Sequence, residues 1–255
     1  RARVTCRASD SGSGYDRAVG VLAGADATLR ALHDSLPAGD GDGKTRAREA
    51  RTADRARLDA LLGEHDGQLT SVEALRAVHE VIPREATVAV DAGGFRIWAL
   101  VSFPAYGPRR YVNPGSWATM GTGLPSAIGA KVADPDREVV ALTGDGGLMM
   151  CLHELHTLAA EELDVTVVVF RNDDYAIISE EATRSYGLEA VAYGWGETPV
   201  EFTALAESMG VAGYRAGSPE EIADTVAKAR ASDGPSLVEV RTDPTEPQAS
   251  EWMRR

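Results

Sequence analysis

The sequence predicts an α/β fold, a doubly wound parallel sheet with helices on both faces, preceded by a partial αβ remnant. Three observations predict it. Several short runs are apolar at every position rather than at alternate ones, so both faces of those strands must be covered. Segments of helical period separate the runs, the order that builds parallel strands joined by crossover helices. The chain has 255 residues, 44% hydrophobic and 25% charged, enough for one large core and ordinary for a globular protein.

Along the chain, Ala18–Gly24 reads as a short buried strand and Ala25–Leu36 as a helix stopped by Pro37. Ala38-Gly39-Asp40-Gly41-Asp42-Gly43 is a flexible acidic loop, and Thr45–Leu62 an Arg- and Ala-rich helix. Residues 1–66 thus hold one αβ fragment and a linker helix, too little for an independent core. A regular pattern then spans 67–243. Thr70-Ser71-Val72-Glu73 has the form of a capping box, and Val72, Leu75, Val78, Val81 and Ile82 follow at helical spacing. Thr87–Asp91 is a strand and Glu138–Thr143 another; Gly147–Ala160 reads as a helix and Val165–Phe170 as a third β-branched run. Phe202–Met209 and Glu220–Ala231 read as helices, Ser236–Val240 as the last strand, and 244–255 as a tail. There is no internal repeat.

Composition excludes several functions. No apolar run approaches the roughly 20 residues that span a bilayer. A formal charge of −13, with only Lys44, Lys131 and Lys228 as lysines, argues against sequence-independent nucleic-acid binding. Cys6 and Cys151 lack CxxC spacing and are too few for a disulfide framework, so a reducing cytoplasm is expected. The chain opens at Arg1 with neither methionine nor signal-peptide pattern, and is read as beginning inside a longer protein.

The chemistry concentrates at Val139–Leu148, where a buried strand runs into Gly144-Asp145-Gly146-Gly147 and then a helix. In a parallel sheet this puts Asp145 at the carboxyl edge, where ligands bind. The amides of Gly146 and Gly147 open a helix, which favours phosphate. An acid beside a phosphate repels it unless a cation lies between, so the spacing points to Mg²⁺ bridging Asp145 to a phosphorylated ligand. The next strand ends in Arg171-Asn172-Asp173-Asp174-Tyr175. If it lies beside the first, Asn172 brings an amide oxygen to the same edge, and a turn aims the Asp174 carbonyl at the metal. Phosphate oxygens and a water would complete the octahedron that Mg²⁺ demands.

Gly144-Asp145-Gly146, with 25 residues between Gly146 and Asn172, resembles the thiamine-diphosphate signature of the acetolactate synthase, benzoylformate decarboxylase and pyruvate decarboxylase superfamily. Gly115–Ala130 (GSWATMGTGLPSAIGA) is similar to a glycine-rich stretch of acetolactate synthases, and Pro108–Tyr111 and Pro235–Val240 fit as well. The resemblance covers Leu69 to Asp243. It implies that Asp145, Asn172 and the Asp174 carbonyl hold Mg²⁺, and that Gly144, Gly146, Gly147 and Tyr175-Ala176-Ile177 border the diphosphate. A second diphosphate loop falls at Asp91–Phe95, with Gly93, Gly94 and Phe95 as contacts. The Ala118 carbonyl and Met120 amide match contacts to the aminopyrimidine, and the Met120 side chain matches the prop that bends the cofactor. The family's first Asn is Arg171 here, its Gln-His is Gly94-Phe95, and the substrate-selecting Trp of acetolactate synthases is Glu181. The glutamate that protonates the pyrimidine belongs to the family's N-terminal domain.

The resemblance therefore implies the cofactor-diphosphate half of an enzyme acting on a small 2-oxo acid, by decarboxylation followed by carboligation or by protonation. A pyrimidine-binding domain or subunit and a homo- or hetero-oligomer are implied partners, with neither nucleic acid nor membrane. A non-catalytic subunit that retains the fold is the rival reading. Other motifs are weaker. Gly43-Lys44-Thr45 lacks the leading glycine and preceding strand of a P-loop. Asp40-Gly41-Asp42 has Arg51 where an EF-hand needs glutamate, and His153-Glu154-Leu155-His156 is not HExxH. Gly121-Thr122-Gly123 lacks the third glycine of a dinucleotide loop, and Glu180-Glu181 reads as a solvated charge pair.

Overall fold

The computed structural model describes residues 2–5, 19–37, 39, 41–63, 65 and 68–249. Ala18, Cys6 and the loop residues Ala38 and Asp40 lie outside them. The chain divides into two compact units, Arg1–Arg57 and Leu58–Arg255.

In the first unit, β1 (Ala2–Thr5) and β2 (Val19–Leu22) pair in parallel, with Ala2 opposite Val19 and Thr5 opposite Leu22. α1 (Ala25–Ser35) and most of α2 (Gly43–Gly63) follow. The strand at 19–22 forms, but it is not buried: Val19 is 54% and Leu22 64% exposed. Apolar character marks a strand, whereas burial needs a covering layer, and two strands with one short helix supply too little of it.

The second unit takes in the end of α2 and then α3 (Ser71–Val81) behind the expected cap. The Glu73 amide donates to Thr70 Oγ1 at 3.3 Å, and the Thr70 amide donates to Glu73 Oε2 at 2.9 Å. Next come β3 (Thr87–Val90), α4 (Gly94–Ser102), β4 (Tyr111–Val112) and α5 (Gly123–Ala133). β5 (Val139–Gly144) leads into α6 (Asp145–Met149) and α7 (Glu154–Ala160). β6 (Val165–Arg171), α8 (Ala176–Tyr186), α9 (Phe202–Ser208), β7 (Ala212–Ala216), α10 (Pro219–Arg230) and β8 (Ser236–Arg241) complete the unit.

The six strands lie in the order β4-β3-β5-β6-β8-β7, every pair parallel. Alternate residues of the all-apolar strands feed two cores. Val140, Leu142, Val168 and Phe170 meet Val72, Leu75, Trp98 and Ile222 on one face. Val139, Ala141, Val167 and Val169 meet Leu124, Leu155, Leu158 and Phe202 on the other. The chain steps from β3 to β4 in one direction and returns to β5 on the other side of β3. This reversal opens a crevice at the carboxyl ends of β3 and β5, the place where such sheets bind ligands.

The helix expected over 147–160 is two helices. Leu148, Cys151, Leu155 and Leu158 are buried at helical spacing, which is why one helix was expected. The connecting amides of Met150, Cys151, Glu154 and Leu155 donate instead to carbonyls three residues back. Periodicity reports which residues face the core, and it is nearly blind to this tighter winding. Residues 244–249, set apart on sequence as a tail, pack into the second unit with Glu246, Gln248 and Ala249 buried.

Candidate functional site

The crevice holds a cavity of about 280 Å³. Its lining includes Gly93, Gly94 and Phe95 from the start of α4, Ala118 and Met120 from the loop before α5, and Gly144–Gly147 where β5 becomes α6. Asn172, Asp174, Tyr175, Ala176 and Ile177, between β6 and α8, close it. Every residue the sequence singled out for the cofactor thus borders one space.

β5 and β6 are direct neighbours with Gly144 opposite Phe170, so Asp145 and Asn172 emerge at the same edge. The Asp145 carboxylate is buried. Its Oδ1 accepts from the Gly146 amide at 2.8 Å, and its Oδ2 accepts from the amides of Asn172 at 3.0 Å and Asp173 at 2.7 Å. Burial still pushes its pKa up to about 6, although these three N–H groups pull the other way. The carboxylate therefore gains from any cation that reaches it.

The turn after β6 is built by its own side chains. Asp173 sits at φ 57°, and Asn172 Oδ1 accepts from the Asp174 amide at 3.1 Å. The Asp173 carbonyl accepts from the Trp195 amide at 2.7 Å. Asp174 Oδ1 accepts from Ser179 Oγ at 2.8 Å, while its Oδ2 is buried without a partner, and burial raises this carboxyl too. Among the described residues no three His, Cys, Asp or Glu side chains gather as metal ligands. A divalent ion at this edge would draw on one carboxylate together with amide and main-chain oxygens.

The floor requires glycine. A Cβ on Gly146 would come within 2.6 Å of the Tyr175 ring, and one on Gly147 within 2.5 Å of Asp91 Oδ2. Phe95 stacks on Phe170 with ring centres 4.9 Å apart, and Tyr175 stands edge-on to Trp195 at 5.0 Å. Met120 is half-buried, and Ala118 holds a left-handed φ of 53°.

Sequence reading missed Asp91 as an organising residue. Its buried carboxylate accepts from the amides of Ala92, Gly121 and Thr122 and from the hydroxyls of Thr122 and Thr143. It thereby ties the Met120 loop to the ends of β3 and β5. Its place at a strand end before two glycines is a signal, but all its partners except the Ala92 amide lie 30 to 52 residues further on. Ser71, Thr242, Glu246 and Gln248 also line the cavity, with no motif to announce them. Burial holds Glu246 up to about 7, and its carboxylate accepts from the Ser71 amide. Thr242 Oγ1 is buried without a partner.

The weaker motifs fall elsewhere. Gly43-Lys44-Thr45 is the first turn of α2, His153 is exposed beside α7, and Glu181 is exposed and pairs with Arg184. Cys151 is a buried free thiol whose pKa burial pushes up to about 12. Among the described residues no helix is long and apolar enough to cross a membrane.

Residues 91–240, more than half of the chain, match the family described as "Thiamine pyrophosphate enzyme, C-terminal TPP binding domain". The chain is 36% identical over 164 residues to a probable acetolactate synthase large subunit of Methanococcus aeolicus, covering 64% of this chain and 27% of that protein. It is 30% identical over 197 residues to a catabolic acetolactate synthase of Raoultella terrigena, covering 75% and 34%. A pyruvate oxidase of Lactiplantibacillus plantarum is 28% identical over 239 residues, covering 92% and 39%. The matched stretch thus spans between about a quarter and two fifths of the length of these relatives.

Proposed function

Because the chain belongs to the thiamine pyrophosphate enzyme family through its C-terminal cofactor-binding domain, we propose that the cavity holds thiamine diphosphate through Mg²⁺. The enzyme it serves then acts on 2-oxo acids, by decarboxylation followed by acetolactate synthase-like carboligation. The carrying observation is the convergence of Asp145, Asn172 and Asp174 with a glycine floor around one cavity.

The donor set suits the group. Asp145 supplies a charged oxygen, the Asn172 side chain and the Asp174 carbonyl supply neutral ones, and Mg²⁺ prefers such hard ligands. The space that Gly146 and Gly147 keep free of side chains suits a diphosphate lying against backbone, with Gly93, Gly94, Phe95 and the start of α8 on its other sides. Asp174 and Thr242, which line the cavity, each carry a buried polar atom without a partner, Oδ2 and Oγ1 respectively. Bound there, thiamine diphosphate supplies the electron sink for the charge left when carbon dioxide departs. The Ala118 carbonyl and Met120 amide orient the aminopyrimidine, the Met120 side chain sets its bend, and the apolar wall of Phe95, Phe170 and Ile177 excludes water.

A pyrimidine-binding domain or subunit, carrying the activating glutamate, covers this surface. In support, Trp117 is 89% exposed, and Met149, Met150 and Ile178 are exposed as well, Ile178 lining the cavity itself. A decarboxylase of the benzoylformate or pyruvate type is the second reading. It is favoured by the exposed Glu181 standing where acetolactate synthases carry tryptophan.

Calorimetric titration of the purified chain with thiamine diphosphate, with and without Mg²⁺, tests the cofactor reading, and binding that ignores the metal would refute it. Asp145→Ala is expected to abolish the metal dependence. Adding the N-terminal half and a panel of 2-oxo acids then separates ligase from lyase by product.

A further inference from the structure

We propose that Arg171, through a buried ion pair with Asp173, is a positioning residue that holds the cation-binding turn preformed before any cofactor arrives. The inference rests on the cofactor reading above and adds a residue to it. Arg171 ends β6 and its side chain is only 5% exposed. Nε donates to Asp173 Oδ1 at 2.8 Å and Nη1 donates to Glu239 Oε1 at 2.6 Å. The family pattern has asparagine here, which is too short to span both acids.

The pair matters because of what else Asp173 holds. Its φ of 57° is left-handed, a region that aspartate enters more readily than most side chains but that is uncommon for any residue but glycine. Three anchors impose it: the side chain on Arg171, the amide on Asp145, and the carbonyl on the Trp195 amide. Together they orient the peptides on either side of Asp173, between Asn172 and Asp174. Arg171 thus reaches the cation site only through Asp173.

Charge gives it a second task. An unpaired Asp173 would place a buried negative charge next to Asp145, whose Oδ2 accepts from the Asp173 amide at 2.7 Å. Arg171 balances that charge, while its Nη1 donates to Glu239 and lies 3.9 Å from Glu201. Arg215, at 3.8 Å from Glu239, and Arg241, at 3.8 Å from Asp173, bring the cluster to three cations and three anions. The cluster is neutral overall.

The test compares the wild-type chain with Arg171→Met, Asp173→Asn, the double variant and Arg171→Lys. Two quantities are read: the Mg²⁺ concentration for half-saturation at excess thiamine diphosphate, followed by tryptophan fluorescence, and the thermal midpoint without cofactor. Each single variant is expected to raise the Mg²⁺ requirement about 10- to 100-fold, the range seen when groups behind metal ligands are lost. The double variant should be no worse than Arg171→Met, and Arg171→Lys should recover part of the loss. An unchanged Mg²⁺ requirement with a lowered midpoint would make the pair mere packing and overturn the proposal, as would independent effects in the double variant. Should Arg171→Met fail to fold, Asp173→Asn, which tolerates the same φ, carries the comparison. If the wild type binds no cofactor, the functional reading fails instead. Hydrogen exchange at the Asp173 and Trp195 amides in the free chain then decides the positioning role: protection in the wild type that Asp173→Asn loses supports it, and equal exchange refutes it.

Discussion

Two buried aspartates are held by opposite strategies. Asp91 is saturated by five donors and serves as a joint between loops, whereas Asp145 meets backbone amides only and faces the cavity. The glycines beside them follow from these carboxylates. Gly147→Ala would drive a methyl into Asp91 Oδ2 and is expected to lower stability by about 1–3 kcal/mol, the usual cost of overpacking. Chemical denaturation measures it, and an unchanged midpoint would mean that Asp91 moves freely. At this scale the sequence was informative where chemistry is encoded locally: Gly144-Asp145-Gly146 and Asn172 declare themselves by type and spacing. Asp91 and Arg171 do not, because Gly121, Thr122 and Thr143 for the one, and Glu239 for the other, stand far along the chain.

Among the elements, those with local stop signals were legible and those without were not. α3 announced itself through Thr70 and Glu73, and Thr70→Ala should cost about 1 kcal/mol by thermal melting. A loss near zero would show that burial of Val72, Leu75 and Val78 alone holds the helix. β5 and β6 were readable because strands covered on both faces cannot hide their composition. α4 begins inside the stretch Asp91–Phe95 that the resemblance marks as a loop, and nothing in its sequence announces it; β7 is hidden because Ala212–Ala216 is half-exposed and mixes glycine with arginine. The break between α6 and α7 left no trace in the apolar spacing.

For the second unit as a whole, Glu246 sets a pH dependence. Its folded pKa, about 7, lies above its ordinary value of 4.5. Between those values the folded chain keeps a proton that the unfolded chain has released. Stability must then fall as pH rises through that window and level off above it. Asp145, raised to about 6, adds a similar slope that ends lower. Glu246→Gln is expected to flatten the decline between pH 5 and 7 in urea titrations, and an identical slope would show that another group drives it. Nothing in residues 244–249 signals this on sequence, because it arises from the segment folding back to where Ser71 begins α3.

The reach of the Asp91 side chain, to donors up to 52 residues downstream, bears on the order of assembly. Closing such loops demands conformational entropy before any contact repays it, which places these links late among folding events. A nascent chain ending before Thr143 would leave Asp91 short of a hydroxyl in apolar surroundings. In stopped-flow refolding, recovery of cofactor binding should therefore trail the return of helical signal, making ligand capture a sensor for the last stage of maturation.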